Sequence, residues 1–294
     1  MIVSASYRTD IPAYYAEWFL RRLKAGYSLV KNPYSGRYYR VSLDRRDVSA
    51  FVFWTRNLGP FIGVLEEIDS LGIPFIVQYS ITCYPAALER RVVPLETCVQ
   101  HVRYLAKRFG PRVVVWRYDT IILTSLTPVS FHFERFSKIA KMLQGCTDEV
   151  VVSWANMYKK TVRNIKKASE THPFTWFDPP DKEKMEILLE LEGVARENGM
   201  KMSVCGQRQY VKGRISDSSC VDAKRISDVA GREIEAARKP HRLGCGCYES
   251  RDIGEYDTCP HGCVYCYAVN DHDIAMKNYL KHDPELDSLT PRSD

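Results

Sequence analysis

Six times between residues 2 and 205 a short β-branched run is followed by a longer amphipathic stretch, and that alternation leaves a chain few folds to adopt. The runs are Ile2-Val-Ser-Ala-Ser, Ser49-Ala-Phe-Val-Phe-Trp, Pro74-Phe-Ile-Val-Gln-Tyr-Ser-Ile-Thr, Arg112-Val-Val-Val-Trp-Arg-Tyr-Asp, Glu149-Val-Val-Val-Ser-Trp-Ala-Asn and Met200-Lys-Met-Ser-Val-Cys. Helical spacing predicts helices over 15–25, 61–71, 95–109, 129–143, 158–169 and 182–198. Gly26, Gly72 and Gly110 stand where the first three should stop. Runs that are apolar on both faces, such as Val113-Val-Val-Trp, belong in a parallel sheet covered by helices, with right-handed crossovers between strands.

Such a sheet can stay open and doubly wound or curl into a barrel. Each run ends in polar residues: Ser4 and Ser6, Thr55 and Arg56, Gln78, Ser80 and Thr82, Arg117 and Asp119, Ser153 and Asn156, Cys205 and Gln207. In a barrel these ends meet on one face, where ligands bind. No Gly-x-Gly-x-x-Gly or Gly-x4-Gly-Lys-Ser/Thr follows any run, which argues against a phosphate-loop nucleotide fold. The expected class is therefore α/β, a partial (β/α)6 TIM-barrel-like parallel barrel over residues 1–240. A cysteine-rich cluster loop at 241–270 would pack on its mouth. The pattern fades after residue 206 apart from one helical stretch at 223–238, and residues 271–294 read as a C-terminal tail, polar and loose over 283–294.

Composition narrows the function. With 45% hydrophobic and 27% charged residues the chain is globular rather than disordered. No stretch approaches the length of a membrane span, and the first residues lack a basic segment followed by an apolar one, so a cytoplasmic protein with no membrane partner is expected. The net charge of +6 is spread over helical segments, so nucleic acid is only a weakly supported partner.

Ten cysteines in a reducing compartment point to metal or chemistry rather than to disulfides. Five of them, Cys245, Cys247, Cys259, Cys263 and Cys266, fall between residues 245 and 266. Cys259-Pro-His-Gly-Cys263-Val-Tyr-Cys266 places three thiols on one short loop. Three thiolates can hold three irons of a [4Fe–4S] cluster and leave the fourth iron open for chemistry. The alternative is structural zinc, which more often uses paired C-x2-C knuckles; the three-then-two spacing with Gly262 inside makes a poor knuckle. Cys205, Cys220, Cys245 and Cys247 would complete an all-cysteine site for zinc or a second iron–sulfur cluster. Against that, Cys205 and Cys220 could be small buried apolar residues. Cys83, Cys98 and Cys146 stand singly and read as structural.

Phe53-Trp-Thr-Arg-Asn, Gln78-Tyr-Ser-Ile-Thr, Glu89 with Pro94, Trp116-Arg-Tyr-Asp and Asp252-Ile-Gly-x-Tyr-Asp-Thr-Cys-x-His-Gly-Cys-x-Tyr-Cys-Tyr-Ala resemble the DUF1848 family of prokaryotic proteins of unknown function, over nearly the whole chain. The cysteine loop is also similar to the C-x3-C-x-aromatic-C motif of radical S-adenosylmethionine (SAM) enzymes. The middle elements, Thr55-Arg56 and then Ser80-Ile81-Thr82 followed by Glu89 and Pro94, resemble in the same order the strand ends of the spore photoproduct lyase group. That likeness implies a partial barrel, a [4Fe–4S] cluster on Cys259, Cys263 and Cys266, and SAM chelated at the open iron. Tyr265 would contact the adenine, and Thr55, Arg56, Gln78, Ser80, Arg117 and Asp119 would surround the cofactor. In those enzymes the motif follows the first strand, whereas here it lies near the other end of the chain.

Single residues carry two readings each. Arg117 and Asp119 share a strand face and could form a salt bridge, or Arg117 could fork onto the SAM carboxylate or a substrate anion. Asp10, before Ile-Pro, is a helix cap or a site residue. Arg56 could equally be a solvated arginine. His261 would either donate to a cluster sulfur or face solvent. The function expected is reductive cleavage of SAM to start radical chemistry on an unidentified substrate, fed by an electron donor such as ferredoxin or flavodoxin. The alternative is a zinc- or iron–sulfur-stabilised binding or regulatory protein for a nucleotide or nucleic acid, without SAM cleavage.

Overall fold

The computed structural model describes residues 1–241 and 244–292. Small parts of the cysteine-rich segment (242 and 243) and of the expected tail (293 and 294) lie outside the described residues. In chain order the elements are β1 (Ile2–Ala5), α1 (Ile11–Tyr14), α2 (Ala16–Ala25), β2 (Tyr27–Lys31), β3 (Tyr38–Ser42), β4 (Ala50–Thr55), α3 (Ile62–Ser70), β5 (Phe75–Ser80), α4 (Leu95–Phe109), β6 (Val114–Ile121), β7 (Leu123–Thr124), α5 (Val129–Leu143), β8 (Glu149–Trp154), α6 (Lys159–Thr171), β9 (Trp176–Phe177), α7 (Asp181–Glu197), β10 (Lys201–Val204), β11 (Ser216–Asp217), α8 (Ala223–Ala230), β12 (Arg251–Asp252) and α9 (His272–Leu280).

The six expected strands are β1, β4, β5, β6, β8 and β10, and they are adjacent in that same order in one parallel sheet. Two short strands extend it to eight: β12 pairs with β1 at one edge and β11 with β10 at the other. The two edge strands do not pair with each other among the described residues, so the fold is α/β with an eight-stranded parallel sheet, and a closed barrel is not shown.

The strand period divides this sheet into two faces. On one, Val3, Phe51, Phe53, Phe75, Val77, Tyr79, Val114, Trp116, Tyr118, Val150 and Val152 are buried in the main core beneath the helices. Aromatic rings dominate there, with Phe53 and Phe61 at 4.9 Å between centroids and Trp116 and Phe136 at 4.7 Å. Each such ring contributes about 1.5–3 kcal/mol by leaving water. The other face changes character along its length. Its first half is apolar (Ile2, Ala50, Val52, Ile76, Val115, Val151) and is covered by Val221, Ala223, Ile226, Ile234 and Tyr248 from the segment around α8. Its second half carries Ser4, Gln78, Ser80, Arg117, Asp119 and Ser153, which the register sets side by side: Ser80 opposite Arg117, Asp119 opposite Ser153. A covered apolar half and an open polar half put the recess at the carboxyl ends of the strands.

Several expectations need correcting. The helix expected over 223–238 stops at Ala230, where Gly231 takes the left-handed conformation at φ 62°. The stretch between α2 and β4, for which the sequence pattern gives no element, contains an antiparallel hairpin, β2 with β3. The described part of the expected loose tail, 283–292, is tied down, and a helix precedes it. Asp271 accepts from Asp273 N and Ile274 N to cap α9; Leu286 O accepts from Trp18 Nε1 at 3.0 Å, Asp287 O accepts from Leu29 N at 2.7 Å, and Leu289 is buried.

Candidate metal and cofactor site

The recess is a cavity of about 740 Å³ lined by both groups of cysteines, Cys259, Cys263 and Cys266 on one side and Cys205, Cys220, Cys245 and Cys247 on the other. Between them stand the strand ends Thr55, Arg56, Ser80, Arg117 and Asp119, together with Tyr265. Gln78 does not line it. It is buried behind, where it donates to Cys220 O at 2.9 Å and accepts from Arg117 Nη1 at 3.1 Å.

The late cysteine loop reaches this place because β12 precedes it. Asp252 of β12 lies opposite Ser4 of β1 and accepts from Ser4 Oγ (2.5 Å), Ser6 Oγ (2.7 Å), Tyr7 N (3.0 Å) and Gly254 N (3.0 Å), with Arg8 Nε 3.8 Å away. At Gly254 an added Cβ would stand 2.0 Å from Ser6 Oγ, so the close approach of loop to strand requires glycine. Further along, the loop is stitched to the segment after β5: Val264 N donates to Leu88 O, Arg91 N to His261 O and Arg91 Nη1 to Pro260 O, each at 3.0 Å.

Asp10, His261, Arg56 and Glu89 lock the loop. Asp10 does cap α1, accepting from Ala13 N at 2.9 Å through Oδ1. Its Oδ2 also takes Arg56 N at 2.8 Å and meets His261 Nε2 at 2.7 Å, so it is both cap and clamp. His261 is buried and neither faces solvent nor turns its ring nitrogens to a sulfur; Nδ1 lies 2.5 Å from Arg91 O and 3.0 Å from Tyr14 Oη. Only its backbone N–H serves a sulfur, that of Cys259. Arg56 is no solvated arginine. It pairs with the fully buried Glu89 carboxylate at 2.9 Å and donates to Thr82 Oγ1 (3.2 Å) and Tyr265 Oη (2.7 Å). Thr82 donates to Glu89 at 2.6 Å, and the Tyr265 hydroxyl also donates to Glu89. Tyr265 is thereby fixed by its hydroxyl, with its ring edge-on to Tyr84.

The Arg117–Asp119 salt bridge forms, with Nε–Oδ2 at 3.1 Å and a closer contact from Nη2. Arg117 also reaches Cys220 Sγ at 2.9 Å, and Asp119 accepts from Ser153 and Thr120. Thr55 exchanges hydrogen bonds with the backbone of Asn57. Among the buried oxygens that have no hydrogen-bond partner in the described residues are Thr9 Oγ1, which lines the cavity, and Glu89 Oε2.

No disulfide joins the ten cysteines. In the loop burial pushes every thiol up: Cys259 well above its ordinary value, Cys266 up, and Cys263 to about 12 despite the Arg56 guanidinium, which pulls it down. Ala268 N donates to Cys266 Sγ at 3.4 Å, and the Val269 backbone also favours its thiolate. Backbone donors on sulfur suit a thiolate bound to iron. In the other group Cys220 is held low, first by hydrogen bonds from Cys205 and Cys247 and then by Arg117, while Cys205 is raised. Cys245 is lowered to about 6 by its bond from Cys247. As they stand, no three His, Cys, Asp or Glu side chains among the described residues converge on a position for one metal ion. A cubane asks for something else, since each thiolate takes a different iron.

The sequence alone points to Asp252, Glu89 and Ser6 without assigning them separate work, and it gives Thr9 no role. The Asp-x-Gly ahead of the cysteine motif was the available signal, since a carboxylate two residues before a glycine can accept that glycine's N–H, as Asp252 does. No helix among the described residues is long and apolar enough to cross a membrane. No curated protein and no solved structure matches the chain. The model of one family, a domain of unknown function (DUF1848), matches residues 2–268, strand β1 through the last residues of the cysteine loop, and the chain belongs to that family.

Proposed function

We propose that this protein is a radical SAM-like iron–sulfur enzyme on a partial (β/α)6 barrel. The observation that carries the reading is the meeting, on one cavity at the carboxyl ends of parallel strands, of three loop cysteines with the polar strand ends. Sulfur-directed backbone donors at Cys259 and Cys266 support it as well.

Cys259, Cys263 and Cys266 would hold the cluster. When bound and reduced, a [4Fe–4S] cluster supplies the electron that cleaves SAM and starts radical chemistry. Everything else falls to the chain. Asp10, Arg56, Glu89 and His261 fix the loop so that its thiols keep their spacing. Ser80, Thr55, Arg117 and Asp119 offer hydrogen bonds and charge to the polar groups of SAM and substrate, with Gln78 holding Arg117 in place from behind. Thr9 Oγ1, buried and unpartnered at the cavity wall, is an open hydrogen-bonding group for that ligand. Tyr7, Trp54, Tyr256 and Tyr265 line the cavity with ring surface that keeps water from a reactive carbon centre. An electron donor such as ferredoxin or flavodoxin would deliver the electron.

Anaerobic purification tests the reading. The expected protein is brown, carries about four irons per cluster with matching sulfide, and cleaves SAM when reduced. Cys263→Ala should lose that iron while remaining folded. Colourless protein with stoichiometric zinc and no SAM cleavage would overturn the proposal in favour of a zinc-stabilised binding protein.

A further inference from the structure

Four cysteines that the loop chemistry does not use come together on the opposite wall of the cavity. Cys205 follows β10, Cys220 follows β11, and Cys245 and Cys247 flank one glycine ahead of β12. They are 7%, 7%, 6% and 3% exposed. Cys205 Sγ and Cys220 Sγ are 3.4 Å apart, and Cys247 lies within hydrogen-bond reach of both Cys220 and Cys245. Four sulfurs thus form one connected group drawn from three separate stretches of chain.

Their surroundings are those of thiolates. Arg117 Nη1 stands 2.9 Å from Cys220 Sγ, Val221 N donates to Cys247 Sγ at 3.4 Å, and Ser218 Oγ lies 3.8 Å from Cys220 Sγ. If these cysteines served only as small apolar filling, a buried guanidinium aimed at one sulfur would be a poor neighbour.

We propose that Cys205, Cys220, Cys245 and Cys247 are the ligands of a second metal centre, a closed four-thiolate site for a thiophilic metal. Tetrahedral coordination at about 2.3 Å per metal–sulfur bond sets sulfurs about 3.8 Å apart, close to the separation Cys205 and Cys220 already have. The remaining thiols close around the metal as it binds, because such sites are completed by their ion. All-sulfur ligation selects zinc or iron over harder ions. Two of the four negative charges outlast a divalent ion, and Arg117 offsets part of them. Because the set is complete, this centre offers substrate no open position. It carries electrons or braces the segment over 205–247, whereas the three-cysteine loop leaves one iron open.

The site is tested without the loop centre. In Cys259→Ala/Cys263→Ala/Cys266→Ala protein, purified anaerobically, metal and sulfide analysis should find one centre per chain. Iron with sulfide identifies a cluster, and zinc without sulfide a single ion; either supports the proposal. After chelation, titration with cobalt(II) alone should give thiolate-to-cobalt charge-transfer bands and tetrahedral d–d bands that saturate at one equivalent. Adding Cys220→Ser and Cys247→Ser should abolish them. Should that variant fail to fold, the cobalt titration of the triple variant decides by itself. A natively folded triple variant with no thiolate–cobalt absorption overturns the proposal, as does a Cys205–Cys220 disulfide in the anaerobic protein. Since the loop triad is absent throughout, neither result depends on the radical reading.

Discussion

Replacing Asp252 by asparagine should be far more costly than an isosteric change suggests, and the structure says why. Each carboxylate oxygen accepts one hydroxyl and one backbone N–H: Ser6 Oγ and Gly254 N on Oδ1, Ser4 Oγ and Tyr7 N on Oδ2. A hydroxyl can turn and accept from an amide NH2, but a backbone N–H cannot. Either orientation of the substituted amide therefore points its NH2 at a backbone N–H, leaving one buried donor unpaired at about 1–3 kcal/mol. The change also removes the counter-charge of Arg8, whose side chain is 11% exposed and 3.8 Å away. Net of desolvation that adds about 1–2 kcal/mol. The sum is about 3 kcal/mol, or a melting temperature lower by about 6–12 °C for a chain of this size. Ser4→Ala is the control: the carboxylate keeps three donors, and the cost should stay near 0.5–1.5 kcal/mol. Thermal melts and guanidinium titrations on metal-free protein read both variants. Asp252→Asn within about 0.5 kcal/mol of the parent, or a Ser4→Ala loss as large as that of Asp252→Asn, would refute the claim that this carboxylate fastens β12 and its loop to β1.

Two further outcomes follow from other buried polar groups. His132, packed against Tyr118 and Tyr84, is lowered to about 4 by burial, with Tyr118 Oη at 2.9 Å from Nδ1 and Ile122 O at 3.1 Å from Nε2. The unfolded chain takes up that proton first, so the stability this histidine contributes is complete above about pH 6.5 and is lost as pH falls toward 4, about 3 kcal/mol in all. His132→Gln should flatten that part of the pH–stability curve, and an unchanged slope would show that another group is responsible. Arg56→Ala leaves the Glu89 carboxylate buried without its cation and should cost about 3–5 kcal/mol. Arg56→Ala/Glu89→Gln should recover part of that in melts of metal-free protein, and strictly additive losses would deny the coupling.

The elements that sequence revealed and those it hid differ in where their stability originates. Helices α4 and α5 match the expected 95–109 and 129–143 because an amphipathic stripe is a local signal. Strands such as β6 declare themselves through residues that are apolar on both faces. The edge strands β11 and β12 have two residues each and no periodicity; they exist only because a distant partner offers hydrogen bonds. The β2–β3 hairpin did carry a cue, Asn32 ahead of Gly36, and Asn32 Oδ1 accepts from Tyr34 N and Ser35 N. Around the cavity, spacing singled out the loop cysteines and polarity most of the strand ends that line it. The clamps were not legible, since Asp10 with His261 and Arg56 with Glu89 join residues whose proximity only the folded sheet creates.

The lateness of the cysteine motif, the feature that fitted worst with an otherwise ordered row of strand–helix units, has a topological cause in this sheet. A loop at the cavity mouth must leave from the carboxyl end of a parallel strand next to its neighbours. Chain order does not matter if a strand can be added at the edge. β12 is that strand. It lies parallel beside β1, in register at Val3 with Arg251 and Ser4 with Asp252, and the loop departs from its carboxyl end. In space, then, the loop begins one strand outside β1, although in sequence it comes some two hundred and fifty residues after it. Two backbone-paired residues are a slender attachment, and the four hydrogen bonds on Asp252 compensate for it. A chain that carried its cysteines directly after β1 would not need such a carboxylate, and one that carries them after β12 does. The buried Asp252 and the late Cys259-x3-Cys263-x2-Cys266 are two parts of one structural solution, so a DUF1848 protein lacking the carboxylate should fasten its loop to β1 by another buried acceptor in the same place.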